Sequence, residues 1–176
     1  MLAEELAKGI KLLVLDVDGV LTDGGLYYDK TGQVMKRFHV QDGLGIKLAQ
    51  AAGLEIAVIS GLDSPAVEKR IRELGISDYY PGFNDKLPRL EELKLKKGIE
   101  YRQMAFLGDD WVDARPMQLV GLPMAVANAR PEIKGLARWI STATGGNGAV
   151  REAIDFLLTC QGRKELLWKK WILSDA

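Results

Sequence analysis

Two carboxylates two residues apart, Asp16 and Asp18, stand where an apolar run gives way to the turn Asp16-Val-Asp-Gly-Val-Leu-Thr-Asp-Gly24. Held in one turn they would repel each other without a cation, and oxygen donors suit a hard divalent ion such as Mg²⁺. A second acidic cluster, Gly108-Asp109-Asp110-Trp-Val-Asp113, follows another apolar run. Helix N-termini attract acidic side chains through their dipole, which accounts for one of these carboxylates; three exceed what capping requires. Ser60-Gly61 closes a third run and offers a hydroxyl and a backbone N–H near a helix start, a common way to hold a phosphate oxygen. Lys86 opens the helical segment after Gly82-Phe-Asn-Asp85. Taken singly, these are an Asp-rich turn, an acidic helix start and a solvated lysine. Only convergence at one edge of one sheet would make them a site.

The elements around them supply that convergence. Lys11–Asp16, Glu55–Ser60, Met104–Gly108 and Leu122–Val126 are short, nearly uninterrupted apolar runs, as expected of strands buried on both faces. Asp42–Ala52, Ser64–Leu74, Lys86–Lys97, Asp113–Val120 and Ala149–Leu158 carry apolar residues at three- and four-residue spacing and read as helices. Strands alternating with helices of this size predict an α/β fold of parallel βαβ units, with the site at the carboxyl ends of the strands. Gly53, Gly75, Gly98 and Gly121 fall just past helical segments and are expected to close them in a left-handed conformation. Gly25–His39 breaks the rhythm: two β-prone runs flank Asp29-Lys-Thr-Gly32, which predicts a β-hairpin projecting from the exit of the first strand.

The 176 residues suit one domain spanning 1–176, and no Pro/Ser linker or repeat divides them. With 24 basic and 24 acidic residues the formal charge is zero, which argues against nucleic acid or an anionic membrane as the main partner. No apolar stretch approaches the roughly 20 residues that span a bilayer, and the first ten residues do not resemble a secretory signal, so cytoplasm is the expected compartment. The single cysteine, Cys160, excludes an internal disulfide and thiolate-metal chemistry. Leu166, Leu167, Trp168, Trp171 and Ile172 stand among lysines near the C-terminus, and a subunit contact through a tail of about 160–176 is expected.

In order and position, the four pieces resemble the four motifs of the haloacid dehalogenase-like phosphohydrolases. Within that superfamily the chain resembles the 3-deoxy-D-manno-octulosonate 8-phosphate (KDO 8-phosphate) phosphatase family through Leu15–Gly24, Phe38-His-Val-Gln-Asp-Gly-Leu-Gly-Ile-Lys47, Gly108–Asp113 and Gly145-Gly-Asn-Gly-Ala-Val-Arg-Glu152. The resemblance implies a Rossmann-like domain with the hairpin of about 25–39 in place of a large cap. It implies Asp16 as the nucleophile forming an aspartyl-phosphate, and Asp18 as the acid that protonates the leaving alkoxide and then takes a proton from water. Mg²⁺ would be held by Asp16, the carbonyl of Asp18 and Asp109; Asp110 and Asp113 would orient water at the ion; Ser60, Gly61 and Lys86 would hold the phosphate. The segment His39, Val40, Gln41, Asp42 and Gly43, with Lys47 and Arg70, would line the sugar site, although His39 by its own chemistry reads as a packing residue of the hairpin base. The partners implied are a small sugar-acid phosphate and three further copies of the chain in a homotetramer.

Two residues depart from the family pattern. Leu62 stands where the KDO 8-phosphate enzymes carry arginine and the related KDN 9-phosphate enzymes glutamate, and Asn147 replaces the arginine of Gly-Gly-Arg-Gly. Another sugar acid, broader specificity or a compensating arginine elsewhere would each fit. A scaffold that has lost catalysis is the reading from another class; retention of Asp16, Asp18, Lys86 and Asp109 opposes it.

Overall fold

The structure, a computed structural model, describes residues 2–32 and 34–173. Gln33 of the expected hairpin and residues 174–176 of the expected tail lie outside the described residues. After helix α1 (Ala3–Ala7), strand β1 (Leu12–Leu15) enters the core with all four residues buried, as an uninterrupted apolar run demands when both faces of a sheet are covered. The chain continues through a hairpin of β2 (Tyr27–Tyr28) and β3 (Val34–Met35), then α2 (Val40–Ala51), β4 (Glu55–Ile59), α3 (Pro65–Leu74), β5 (Asp78–Tyr80) and α4 (Leu87–Lys97). It finishes with β6 (Met104–Gly108), α5 (Ala114–Leu119), β7 (Leu122–Ala125), α6 (Pro131–Leu136), β8 (Trp139–Ile140), α7 (Ala149–Cys160) and α8 (Lys164–Leu173).

Six strands form one parallel sheet in the order β5-β4-β1-β6-β7-β8, with Leu12 of β1 opposite Glu55 of β4 and Met104 of β6. From β1 the chain works outward through β4 to β5, crosses back to β6, and works outward the other way. The reversal falls between β1 and β6, and a crevice opens there at the strands' carboxyl ends. Right-handed crossovers put α2 and α3 on one face and α4, α5 and α6 on the other; α7 packs on α2 and α1.

The four apolar runs are strands to within a residue at either end, and each expected helix is present. The short edge strands β5 and β8 were not expected. Their apolar content is too brief to stand out, and pairing to a neighbour makes them strands. Gly53, Gly75 and Gly98 are left-handed. Gly121 is not: its N–H donates to the Tyr101 carbonyl, and a Cβ would lie 2.3 Å from the Arg102 carbonyl oxygen. Close backbone approach, not helix closure, requires that glycine. The hairpin is present in antiparallel register, Tyr27 opposite Met35, and a bridge between Thr22 and Phe38 ties its base to the turn after β1.

Candidate active site

The turn after β1 is wide: the Thr22 N–H reaches back to the Val17 carbonyl, and Gly19 turns the chain at φ +89°. A Cβ on Gly19 would sit 2.0 Å from an Asp109 oxygen, so the two acidic loops approach more closely than any side chain at 19 would allow. Gly145 serves the same closeness from behind, its Cβ direction pointing at the Gly19 carbonyl oxygen 1.7 Å away.

Asp16, Asp109 and Asp113 present oxygens within 4.8 Å of one another. Lys86, fully buried, stands between two of them, its Nζ 2.5 Å from Asp16 Oδ1 and 2.6 Å from Asp113 Oδ1. Asp113 also accepts from the backbone N–H groups of Asp109, at 2.9 Å, and Asp110, at 3.4 Å, through Oδ2. Both its oxygens are therefore engaged, and it fixes the loop after β6 and the ammonium together. Asp109 Oδ1, by contrast, is buried without a hydrogen-bond partner.

An orphaned buried oxygen facing other carboxylates is costly unless something positive meets it. Burial, with the neighbouring Asp16 and Asp113 charges, pushes the Asp109 carboxyl up to about 8. Burial and Asp113 push Asp16 up to about 6, with Lys86 opposing them. Desolvation holds the Lys86 ammonium down, and Asp16 and Asp113 more than reverse it, leaving it above the ordinary lysine value. The donor set is all oxygen, and Lys86 sets one positive charge against three carboxylates, a deficit that fits a hard divalent cation at Asp16 and Asp109.

The remaining predicted residues fall into two groups. Asp18 lies beside the cluster, and its Oδ1 pairs at 2.5 Å with Lys36, a hairpin residue that sequence reasoning did not select. The Ser60 hydroxyl is buried and closes its own turn, donating to the Leu62 carbonyl and accepting from the Leu62 N–H. Gly61 packs against Asn84, whose Oδ1 would be 2.7 Å from a Cβ there. Asp110 is exposed and caps the Trp111 N–H.

The residues expected to line the sugar site lie at the start of α2, along it and on α3. Asp42 is buried and accepts from the backbone N–H groups of Arg151 at 2.7 Å and Gly148 at 3.3 Å, capping the start of α7. His39 Nδ1 is 3.8 Å from Asp42 Oδ2, while Val40 and Gln41 are exposed at the start of α2. Gly43 makes room for Arg70, which also lies over the Phe38 ring and pairs with Glu73. Lys47 lines a cleft between α2 and α8 with Arg163, Leu166 and Trp171. A separate cleft of about 800 Å³ opens between the hairpin and the loop after β4, lined by Leu26, Tyr28, Met35, Lys36, Leu62 and Ser64 among others.

A parallel sheet of this order, with acidic loops from β1 and β6 meeting a buried lysine at the switch point, has the architecture of a haloacid dehalogenase-like hydrolase. The family of that description matches residues 76–154. The chain is 41% identical over 159 residues to the KDO 8-phosphate phosphatase of Haemophilus influenzae, covering 90% of this chain and 88% of that one. Against the Escherichia coli K12 enzyme of the same name it is 43% identical over 157 residues, covering 89% and 84%. The Moraxella catarrhalis KDO 8-phosphate phosphatase, solved in complex with a magnesium ion, a phosphate ion and KDO, superposes with a TM-score of 0.93 at 38% identity, over 96% of this chain and 97% of that one. The chain belongs to the KDO 8-phosphate phosphatase family.

Proposed function

We propose that the chain is a Mg²⁺-dependent phosphatase that hydrolyses KDO 8-phosphate to KDO and phosphate, a step toward lipopolysaccharide. Family membership over nine-tenths of the chain supports the substrate. The observation that carries the chemistry is the meeting of Asp16, Asp109 and Asp113 with a buried Lys86 at the switch point. In this reading an Asp16 oxygen attacks phosphorus, the bond from phosphorus to the sugar oxygen breaks, and Asp18 gives that oxygen its proton. Water then attacks the aspartyl-phosphate, Asp18 takes a proton from it, and Asp16 is released as a carboxylate.

Asp16 and Asp109 would hold Mg²⁺, with the Asp18 carbonyl. When bound, the ion supplies positive charge against the phosphate dianion and the attacking carboxylate. Lys86 holds Asp16 in place and presents the other fixed positive charge; Asp113 holds Lys86. Ser60 and Gly61 would hold the phosphate through the turn after β4, and Asp110, in the loop after β6, would orient water at the ion. His39, Val40, Gln41, Asp42, Gly43, Lys47 and Arg70 are assigned to the sugar side of the site.

Phosphate release from KDO 8-phosphate and KDN 9-phosphate, with Mg²⁺ and with chelator, tests the reading. Mg²⁺-dependent turnover faster on the first is expected; no turnover on either refutes it. Leu62 favours a second outcome, broader use of sugar phosphates, because it is half exposed at the cleft beside the hairpin and offers no charge there.

Among the described residues no helix is long and apolar enough to cross a membrane. The reading places the enzyme in the cytoplasm, acting on a small sugar-acid phosphate, with neither nucleic acid nor membrane as a partner. The single domain 1–176 is proposed to assemble as a homotetramer through the hairpin and the tail of about 160–176. Leu166, Trp168, Trp171 and Ile172 on α8 are exposed, which suits that role. A monomeric mass by sedimentation would contradict it.

A further inference from the structure

Lys36 follows β3, and its backbone is fixed on both sides. Before it, Val34 and Met35 pair with Tyr28 and Tyr27; after it, Phe38 bridges to Thr22, in the turn that carries Asp18. Arg37 adds a third anchor, donating to the Gly146 carbonyl at 3.2 Å and to Asn147 Oδ1 at 2.9 Å. The Lys36 side chain is 1% exposed and its Nζ meets Asp18 Oδ1 at 2.5 Å, while Asp18 itself is 28% exposed. Exposed ion pairs contribute little because two long side chains must be ordered in water. Here the lysine is already ordered by burial, so the pair constrains the carboxylate.

We propose that Lys36 is a positioning residue for Asp18: by occupying Oδ1 from a buried, backbone-anchored site, it aims Oδ2 at the water that hydrolyses the aspartyl-phosphate. This rests on the phosphatase reading above. In the step concerned, the water oxygen forms a bond to phosphorus, the bond between phosphorus and the Asp16 oxygen breaks with its electron pair returning to Asp16, and a water proton passes to Asp18 Oδ2. A base must lie within hydrogen-bond reach and in line with the proton it takes. Without Lys36, Asp18 keeps its chemistry and loses its aim. The hairpin thus reaches into the reaction through one ammonium.

The test compares the wild type with Lys36→Met and Lys36→Arg on KDO 8-phosphate and on 4-nitrophenyl phosphate, whose leaving group departs without a proton. For Lys36→Met, kcat on both substrates falls about 10- to 100-fold, less than the full ~10²–10⁴ of a positioned base because Asp18 remains. On the aryl ester kcat/KM stays within about twofold, because it reports only the steps through phosphoryl transfer to Asp16. KM therefore falls with kcat, and quenched enzyme shows the mass of a phosphoryl adduct. Lys36→Arg restores kcat to within about threefold. An unchanged kcat, or a kcat/KM that falls in step with kcat with no adduct, overturns the proposal. Lys36→Gln replaces the methionine variant if that one does not unfold cooperatively; if neither folds, Lys36 is structural and the proposal fails. Wild-type inactivity on KDO 8-phosphate overturns the assigned substrate alone, and Lys36 is then judged on whichever alkyl phosphate is turned over. Inactivity on every ester overturns both.

Discussion

Replacing Lys86 by methionine removes a charge and keeps most of the volume. The ammonium stands 2.5 Å from Asp16 and 2.6 Å from Asp113, and all three side chains are buried. Lys86→Met leaves two buried carboxylates facing each other with Asp109 beside them, and breaking a buried pair from one side costs about 3–5 kcal/mol. For a chain of 176 residues, each kcal/mol moves Tm by roughly 2–4 °C, so the variant should melt about 6–20 °C lower in chelator at pH 7.5. Asp113→Asn on the Lys86→Met background removes one of the stranded charges, so the double variant recovers part of the loss and the cycle is non-additive. Acid should act in the same direction: Asp16 is already pushed up to about 6 by burial and Asp113, and without Lys86 it neutralises more readily. The deficit therefore shrinks as pH falls from 7.5 toward 5. Scanning calorimetry of the four proteins measures all of this. A drop in Tm below about 3 °C, or strict additivity, would show that Lys86 is not the group neutralising this cluster.

Mg²⁺ should stabilise the protein more at pH 8 than at pH 6. A proton held by Asp109 up to about 8 must leave before the carboxylate binds metal, a difference of about 50-fold in affinity, or ~2.3 kcal/mol and ~5–9 °C of Tm shift. Equal shifts at the two pH values, or a full shift in Asp109→Asn, would exclude that ligand. For Gly145→Ala, whose Cβ would lie 1.7 Å from the Gly19 carbonyl oxygen, a loss of about 1–3 kcal/mol and most activity is expected. Gly135→Ala in α6 meets nothing within 4 Å and should stabilise by about 0.5–1 kcal/mol; thermal melts compare the two. At Asp78, burial pushes the carboxyl up, and hydrogen bonds from Lys96 and Lys97 outweigh it, so its folded value lies below the usual range. Its contribution is then present above about pH 3.9 and lost as pH falls through the lower folded value. Asp78→Asn should destabilise at pH 7 and converge on the wild type as pH falls through the folded value of Asp78, followed by urea titrations across the acid range.

The sheet and the acidic clusters at its carboxyl edge were legible in the sequence because each is a local pattern. A buried parallel strand is an apolar run, and its carboxyl end is where the acid or the glycine begins. With the ends of β1 and β6 side by side, Asp16 and Asp109 meet as expected; Lys86 follows the short strand β5, and only the family resemblance assigns it to the site, where it lies 2.5 Å from Asp16. Asp113 was legible as an acid but not as the partner of Lys86, since the residues are 27 apart in sequence and meet only through packing. Asp42 shows the opposite limit. The family resemblance assigns it to the sugar side, and its own sequence pattern does not report that both its oxygens accept from backbone N–H groups at the start of α7. Only the close packing of α2 on α7 makes that bond available, and no periodicity reports it.

The hairpin explains why such gaps concentrate where they do. Its sequence predicted two strands and a turn, and these formed, but a strand of two residues leaves the direction of the next side chains undetermined. Lys36 and Arg37 are adjacent and alike in charge, and alternation sends them to different partners: Lys36 to Asp18, Arg37 to Asn147 and the Gly146 carbonyl. Arg37 thereby places a cation against the loop where Asn147 stands in place of the family's arginine. The compensating arginine foreseen as one way to accommodate Asn147 thus has a physical candidate, three residues before the helix rather than in the glycine-rich loop. A basic pair in an exposed ribbon reads as solvated until the base of that ribbon is pinned. The Thr22 to Phe38 bridge ties the hairpin to the turn that carries Asp18, where Lys36 is buried against it and Arg37, half exposed, lies against the glycine-rich loop.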